Sequence, residues 1–266
     1  MQNGAVFFDM DGTLVDGREG ILKPTERTKE AILKLRDNHY LVGLATGRAK
    51  CYVPESALLF DCYVTSNGAY AEVENKAINN SVIEQSELMK LLAYLDNAKM
   101  NYVMENQECC YVKDIAEPYY LGMMKNFNLG DKNFYLLRDV GPIDTANINK
   151  LMVTYDSEEK LSQFIRDFGS CYDITRQPGN QACDVGKKGI TKAFGTGQVI
   201  HFLGLDKSNT YAFGDADNDY DMFGTVGTGI AMARHTPKLG KAARYITDSV
   251  KEDGIYHALI HFGLIK

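Results

Sequence analysis

Two carboxylates, spaced two residues apart, follow a short apolar run near the beginning of the chain. Asp9 comes directly after residues 5–8, and Asp11 precedes Gly12. An aspartate at a strand end can attack phosphorus, while a second carboxylate beside it protonates the leaving oxygen and then activates water. Gly12 permits a sharp turn and lets backbone amides approach an anion. A calcium loop or a solvated turn would show the same short pattern, so this interpretation needs partners elsewhere in the chain.

Two further apolar runs also end on polar side chains. Residues 41–45 precede Thr46, and residues 210–214 precede Asp215. Continuous apolar runs of this length suit strands buried on both faces of a parallel sheet, and ligands bind at the carboxyl ends of such strands. If these runs are parallel neighbours of the first, Asp9, Thr46 and Asp215 converge at one edge of the sheet.

Helical patterns separate the apolar runs and predict an α/β fold. Thr25 is a plausible helix N-cap, and a fourth strand is predicted at residues 62–65. The order strand, helix, strand is typical of βαβ units. The stretch from about residue 80 to residue 186 has strand and helix candidates of its own and is long enough for a separate small α/β domain.

Composition and charge exclude several functions. The net charge of −6 argues against non-specific nucleic-acid binding, which needs a basic surface. No apolar run of about 18 residues could span a membrane, and the first residues lack the basic region of a signal peptide. None of the six cysteines forms a C-x-x-C pair, so we expect reduced thiols in a cytoplasmic protein.

Four ordered motifs resemble those of the haloacid dehalogenase-like superfamily. Residues 9–13 resemble its opening D-x-D-G-T motif, and residues 45–48 resemble the second motif, in which a strand-end Thr or Ser binds the phosphoryl group. Lys192 resembles the third motif, and residues 214–219 resemble the acidic fourth motif. This resemblance implies a magnesium-dependent phosphatase that forms an aspartyl-phosphate on Asp9.

The resemblance and the chemistry of Mg²⁺, which prefers hard oxygen ligands, together assign expected roles to these residues. Lys192 and the metal would offset the repulsion between an anionic nucleophile and an anionic phosphate. The expected catalytic residues are Asp9, Asp11, Thr46 and Lys192. The expected metal ligands are Asp9, Asp11 through its backbone carbonyl, Asp215 and Asp219. The expected phosphate-binding residues are Met10, Gly12, Thr46, Gly47, Arg48, Lys192 and Asn218.

The chain resembles the Cof-type branch, which carries an α/β cap between the second and third motifs. Residues 66–69, 229–232 and 252–255 are similar to further elements of that branch. The resemblance implies a Rossmann-like, doubly wound parallel sheet as the core, formed by residues 1–79 and 187–266, with an inserted cap of residues 80–186. In two departures from the branch, Ala193 replaces a usual Gly, and Arg234 stands at the usual Asn position.

The leading hypothesis is therefore hydrolysis of a small phosphorylated metabolite, such as a sugar phosphate, with the cap closing over the site. A phosphomutase on the same scaffold is one alternative, and a non-catalytic domain that binds a metal or accepts a phosphoryl group is another. Receiver domains of the latter kind lack both the position of Asp11 and a large cap. No membrane or nucleic-acid partner is expected, and the sequence carries no signal for an oligomeric state.

Overall fold

The structure is a computed structural model that describes residues 2–54, 60–114, 118–126, 134–139, 147–177 and 180–266. It divides into two compact units. The larger unit contains Met1–Arg48, Val53–Asn79 and Thr191–Lys266, and the smaller unit contains Ala49–Tyr52 and Asn80–Ile190. Two short segments, residues 49–52 and 187–190, thus belong to the smaller unit rather than to the core in which the sequence analysis placed them.

The elements are numbered in chain order. The strands are β1 (Gly4–Phe8), β2 (Tyr40–Ala45), β3 (Cys62–Thr65), β4 (Tyr70–Val73), β5 (Lys76–Asn80), β6 (Asn101–Glu105), β7 (Cys110–Val112), β8 (Phe134–Leu136), β9 (Lys150–Thr154), β10 (Tyr172–Arg176), β11 (Ala182–Lys187), β12 (Thr210–Gly214), β13 (Thr228–Ala231) and β14 (Tyr245–Ile246). The helices are α1 (Glu26–Asp37), α2 (Gln85–Asn97), α3 (Pro118–Asn126), α4 (Glu158–Phe168), α5 (Lys192–Phe202), α6 (Tyr220–Thr225), α7 (Pro237–Ala242) and α8 (Gly254–His261).

The larger unit is built on an eight-stranded sheet in the order β14-β13-β12-β1-β2-β3-β4-β5. β1 pairs in parallel with β2 on one side and with β12 on the other, as the three apolar runs predict. All five residues of β1 are buried, because helices cover both faces of the sheet. The predicted fourth strand, β3, continues the parallel order beside β2.

Helices pack on both faces of this sheet, which confirms the predicted doubly wound α/β fold. α1 and α8 cover one face, with Ile32 and Leu259 in its core. α5, α6 and α7 cover the other face, with Val199 and Leu239 in its core. The predicted N-cap of α1 is confirmed, since the Thr25 hydroxyl accepts a hydrogen bond from the Thr28 amide at 3.1 Å.

The smaller unit contains a six-stranded, mostly antiparallel sheet in the order β10-β11-β9-β6-β7-β8. α2 and α4 pack on one face, where Leu91 and Phe164 are fully buried. A second apolar cluster includes Tyr52, Cys110 and Met152. Within the described ranges, none of the helices combines the length and apolar character needed to cross a lipid bilayer.

Candidate active site

Three polar residues follow neighbouring parallel strands of the larger unit. Asp9 follows β1, Thr46 follows β2 and Asp215 follows β12. The order β12-β1-β2 brings the carboxyl ends of these strands to one edge of the sheet. Asp9 is 5% exposed, Thr46 is fully buried and Asp215 is 8% exposed, so the convergence expected from the apolar runs occurs in a largely water-excluded position.

A buried lysine joins two of the site carboxylates. Lys192 is the first residue of α5, and its Nζ lies 2.6 Å from Asp9 Oδ1 and 2.7 Å from Asp219 Oδ1. The side chain is 1% exposed. Burial alone would lower the pKa of Lys192, but the carboxylates of Asp219 and Asp9 raise it above its ordinary value. The lysine is therefore a fixed positive charge beside Asp9.

Asp219 also fixes the chain that carries Asp215. Its Oδ2 accepts hydrogen bonds from the backbone amides of Asp215 and Ala216, both at 3.0 Å. Gly214 leaves room for the Asp219 carboxylate to pack against the end of β12, because a Cβ at position 214 would clash with that carboxylate. One carboxylate thus closes the turn after β12 and binds Lys192, which sets Asp215 relative to Asp9.

The acidic cluster is suited to a divalent cation. Asp9, Asp215 and Asp219 offer carboxylate oxygens that all lie within 4.8 Å of one another. Asp215 Oδ1 is buried and has no hydrogen-bond partner among the described residues. Three buried carboxylates against one ammonium leave a surplus of negative charge, and oxygen donors of this kind are the ligands that Mg²⁺ prefers. The residues present therefore fit the expected metal.

The pKa shifts at the site have the same origin. Burial, opposed by Lys192 and reinforced by Asp219, raises the pKa of Asp9 to about 7. Burial and the charge of Asp9 raise the pKa of Asp215 to about 9. Both shifts express the cost of ionising neighbouring carboxylates in a position from which water is excluded. A cation bound among them would favour the ionised forms of both residues.

Asp11 is bound by Arg48 in a two-point ion pair. Arg48 Nε donates to Asp11 Oδ2 at 2.8 Å, and its Nη2 donates to Oδ1 at 2.6 Å. The arginine side chain is 6% exposed, whereas that of Asp11 is 40% exposed. The Arg48 amide also donates to the Thr46 hydroxyl at 3.1 Å. Arg48, in the second motif, thus holds the proposed acid/base residue Asp11. From the sequence, Arg48 was expected to bind phosphate, and this contact was not predicted.

The turn after β1 uses the backbone of two predicted phosphate-binding residues. The Met10 carbonyl accepts from the amides of Leu14 and Val15, and its side chain is buried in the core. The Gly12 amide donates to the Val15 carbonyl at 2.7 Å, so this amide stabilises the turn. Gly12 has φ +91°, and a Cβ there would overlap the Asp215 carboxylate. Its main structural contribution is this close approach.

Asn67 is a site residue that the sequence analysis did not single out. Asn218 Nδ2 donates to Asn67 Oδ1 at 3.1 Å, and a Cβ at Gly47 would come within 3.0 Å of the same oxygen. Asn67 has φ +53°, a left-handed conformation that asparagine tolerates better than most residues. Its signal in the sequence was the Asn-Gly turn directly after the predicted strand at residues 62–65.

Arg234, which departs from the branch pattern, points its guanidinium toward the loop that follows the first motif. Its Nη1 lies 3.9 Å from Asp16 Oδ2, and its side chain is 59% exposed. Asp16 in turn accepts a hydrogen bond from the Arg18 amide at 3.0 Å. At this distance and exposure, the pair adds little to stability.

Comparisons with known proteins agree with this arrangement. A family model described as haloacid dehalogenase-like hydrolase matches residues 6–259. The protein named "Putative phosphatase YkrA" of Bacillus subtilis (strain 168) is 30% identical over an alignment of 272 residues that covers all of both chains. The 5-amino-6-(5-phospho-D-ribitylamino)uracil phosphatase YcsE of the same organism is 26% identical and covers 97% of this chain and 95% of its own.

A solved structure with a similar fold is that of the sugar phosphatase BT4131, assigned to subclass IIB of the same superfamily. The two chains are 27% identical, and the superposition covers 98% of this chain and 100% of the other with a TM-score of 0.85. The phosphatase BT1666 from Bacteroides thetaiotaomicron is 25% identical, with a TM-score of 0.84 over 99% of this chain and 96% of its own.

Proposed function

Because the chain belongs to the haloacid dehalogenase-like hydrolase family, we propose that it is a Mg²⁺-dependent phosphatase acting on small phosphomonoesters through an aspartyl-phosphate on Asp9. The observation that carries the proposal is the convergence of Asp9, Lys192, Asp215 and Asp219, with ion-pair distances of 2.6 and 2.7 Å and side chains almost fully buried. A strand-end carboxylate held beside a buried cation is positioned to meet an anionic ester.

In the first half-reaction, a carboxylate oxygen of Asp9 attacks phosphorus, and the bond between phosphorus and the alcohol oxygen breaks. Asp11 donates a proton to that departing oxygen. Arg48 binds both oxygens of the ionised Asp11 carboxylate, so one of these hydrogen bonds must open for Asp11 to carry the proton, and the partial exposure of Asp11 gives it access to water. The products of this half-reaction are the free alcohol and phosphorylated Asp9.

In the second half-reaction, Asp11 takes a proton from a water molecule as that water attacks the phosphorus of the intermediate. The bond between phosphorus and the Asp9 oxygen breaks, inorganic phosphate leaves, and the Asp9 carboxylate is restored. Asp11 returns to the protonated form that begins the next cycle. One carboxylate therefore serves as acid and then as base.

Fixed positive charge makes the approach of two anions possible. Lys192 holds the Asp9 carboxylate and partly neutralises it, while Asp219 holds Lys192. The residues that would bind Mg²⁺ are Asp9, Asp215 and the Asp11 backbone carbonyl, with Asp219 in support. Bound there, the metal would supply a further electrostatic attraction for the phosphoryl oxygens.

The proposed substrates are phosphorylated metabolites such as sugar phosphates. This choice rests on similarity to BT4131, a sugar phosphatase, and to YcsE, whose substrate is a phosphorylated ribityl compound. Met10, through its backbone amide, and Thr46, Gly47 and Asn218 remain the proposed phosphate contacts beside Lys192. The cytoplasmic location remains a prediction from the sequence.

A screen for inorganic phosphate released from a panel of sugar phosphates tests this proposal. We expect release with Mg²⁺, loss of release with excess EDTA, and recovery on adding Mg²⁺ back. Asp9→Asn is the matched control and should be inactive while retaining the wild-type circular dichroism spectrum. Release that is unaffected by EDTA, or substantial activity of Asp9→Asn, would contradict it. A hexose bisphosphate that yields isomerised monophosphate instead of free phosphate would favour a mutase.

A further inference from the structure

The smaller unit contains two thiols that nearly touch and that take no part in the proposed reaction. Cys51 Sγ lies 3.4 Å from Cys110 Sγ. Cys51 belongs to a short turn and is partly exposed, whereas Cys110 is the first residue of β7 and is fully buried. The two residues are 59 positions apart in the chain, so the tertiary fold creates this proximity.

The segment that carries Cys51 is fixed on the sheet of the smaller unit. The neighbouring Tyr52 hydroxyl donates to Glu105 Oε2 at 3.0 Å, in a buried position. Ala49 and Tyr52 also belong to the apolar cluster that includes Cys110. Because contacts on both sides of Cys51 hold this turn, its thiol is presented to Cys110 as part of the packed structure.

We propose that Cys51 and Cys110 form a thiol-oxidation site that a low-molecular-weight disulfide, such as oxidised glutathione, converts into an intramolecular disulfide. An S–S bond is about 2.05 Å long, so the sulfurs must approach by roughly 1.4 Å, a movement within reach of side-chain rotation. The product would covalently tether the turn at residues 50–52 to β7.

The reaction has two steps and balances without any further reactant. The Cys51 thiolate attacks one sulfur of oxidised glutathione, which forms a mixed disulfide and releases one glutathione. The Cys110 sulfur, after losing its proton, attacks the Cys51 sulfur and displaces the second glutathione. Two protein thiols are oxidised, and one glutathione disulfide is reduced to two thiols.

The difference in burial sets the order of these steps. Cys51 is the member of the pair that an external reagent can reach, whereas Cys110 is 0% exposed. Burial also raises the pKa of the Cys110 thiol well above its ordinary value, which disfavours Cys110 as the first nucleophile. Once Cys51 carries the mixed disulfide, Cys110 needs only to react with a sulfur that it already contacts.

Cys109 is the competitor that the test must distinguish. It precedes Cys110 in the chain and packs against the cluster under α2 and α4, whereas Cys110 packs with Tyr52. Cys171 is exposed and would accept glutathione by itself. The experiment therefore uses the full chain with Cys171→Ser, which leaves five of the six thiols.

The reduced Cys171→Ser protein is incubated with oxidised glutathione, denatured, titrated for thiols and mapped by mass spectrometry. We expect the thiol count to fall from five to three, with a peptide pair joined through Cys51 and Cys110. Adding Cys110→Ser should stop the reaction at one glutathione on Cys51, and adding Cys109→Ser should leave the disulfide unchanged.

Three results would overturn the proposal: a link from Cys51 to Cys109, a link between Cys109 and Cys110, or five thiols that persist in the folded Cys171→Ser protein. The peptide map of Cys171→Ser decides the matter even if a double variant fails to fold. Activity is not needed for any of these readouts, so failure of this proposal is distinguishable from failure of the proposed phosphatase function.

Discussion

Replacing Lys192 with Met removes the positive charge at the centre of the site while keeping a long apolar side chain. Lys192 is 1% exposed and donates to Asp9 at 2.6 Å and to Asp219 at 2.7 Å. Removing one partner of a buried ion pair leaves an uncompensated buried charge, which costs about 3–5 kcal/mol. We expect Lys192→Met to lower the free energy of unfolding by about this amount at pH 8 without Mg²⁺.

The loss should depend on pH in a defined direction. The pKa of Asp9 is already raised to about 7 in the folded protein, above its ordinary value of 3.8, and losing Lys192 removes an interaction that lowers it. A carboxyl with a raised folded-state pKa contributes stability at low pH and loses it as the pH rises through that pKa. At pH 5 a protonated Asp9 no longer adds an uncompensated charge, so the deficit should be smaller than at pH 8, while the Asp219 carboxylate still lacks its partner.

Urea unfolding in EDTA, followed by circular dichroism at pH 5 and pH 8, measures both quantities. Lys34→Met is the matched control, because Lys34 pairs with Glu30 at 2.8 Å on the exposed surface of α1. We expect this control to unfold like the wild type at both pH values. A Lys192→Met protein as stable as the wild type at pH 8, or a deficit that grows at pH 5, would refute the electrostatic reasoning.

Three further predictions concern the metal, the turn after β1 and proton transfer. Mg²⁺ should raise the melting temperature more at pH 8 than at pH 5, since Asp9 and Asp215 must lose protons to bind it; equal shifts in a thermal scan would contradict this. Gly12→Ala should weaken Mg²⁺ binding and turnover, because the added Cβ clashes with Asp215. Gly20 has φ +70° and open space around it, so the control Gly20→Ala should keep turnover and lose about 1–2 kcal/mol of stability. Similar Mg²⁺ titrations for both variants would count against the clash. Asp11→Asn should slow alcohol release and phosphate release from an alkyl phosphate by about 10²–10⁴-fold; release of both products at the wild-type rate would rule out its acid/base role.

The edge of the sheet could be predicted because its signals are local and unambiguous. The runs that end at Asp9, Thr46 and Asp215 are continuous and apolar, as expected for strands buried on both faces. The polar residue at each strand end then lies at the edge where ligands bind. The alternation of strand and helix patterns predicts parallel βαβ units. The four motifs then identify the residues that come together at this edge of the sheet.

The remaining features depend on contacts that local sequence does not encode. β11 is an interior strand that pairs with β9, yet it contains the charged residue Asp184, which interrupts the apolar pattern expected of such a strand. Asp184 is accommodated there because Lys150 donates a hydrogen bond to its Oδ1 at 3.0 Å. From the sequence alone, Arg48 was expected to bind a phosphate. Its pairing with Asp11 depends on a tertiary contact between residues that are 37 positions apart in the chain. The allocation of residues 49–52 to the smaller unit likewise follows from packing around Tyr52.

The most direct test of the account is to identify the residue that carries the phosphoryl group. Asp11→Asn, mixed with Mg²⁺ and 4-nitrophenyl phosphate, whose leaving group departs without a proton from Asp11, should accumulate the intermediate because only its hydrolysis then needs Asp11. After an acid quench and peptide mapping by mass spectrometry, we predict one phosphoryl group on the peptide containing Asp9 and none in the Asp9→Asn protein. Single-turnover release of phosphate without any phosphorylated Asp9 peptide would contradict the covalent mechanism.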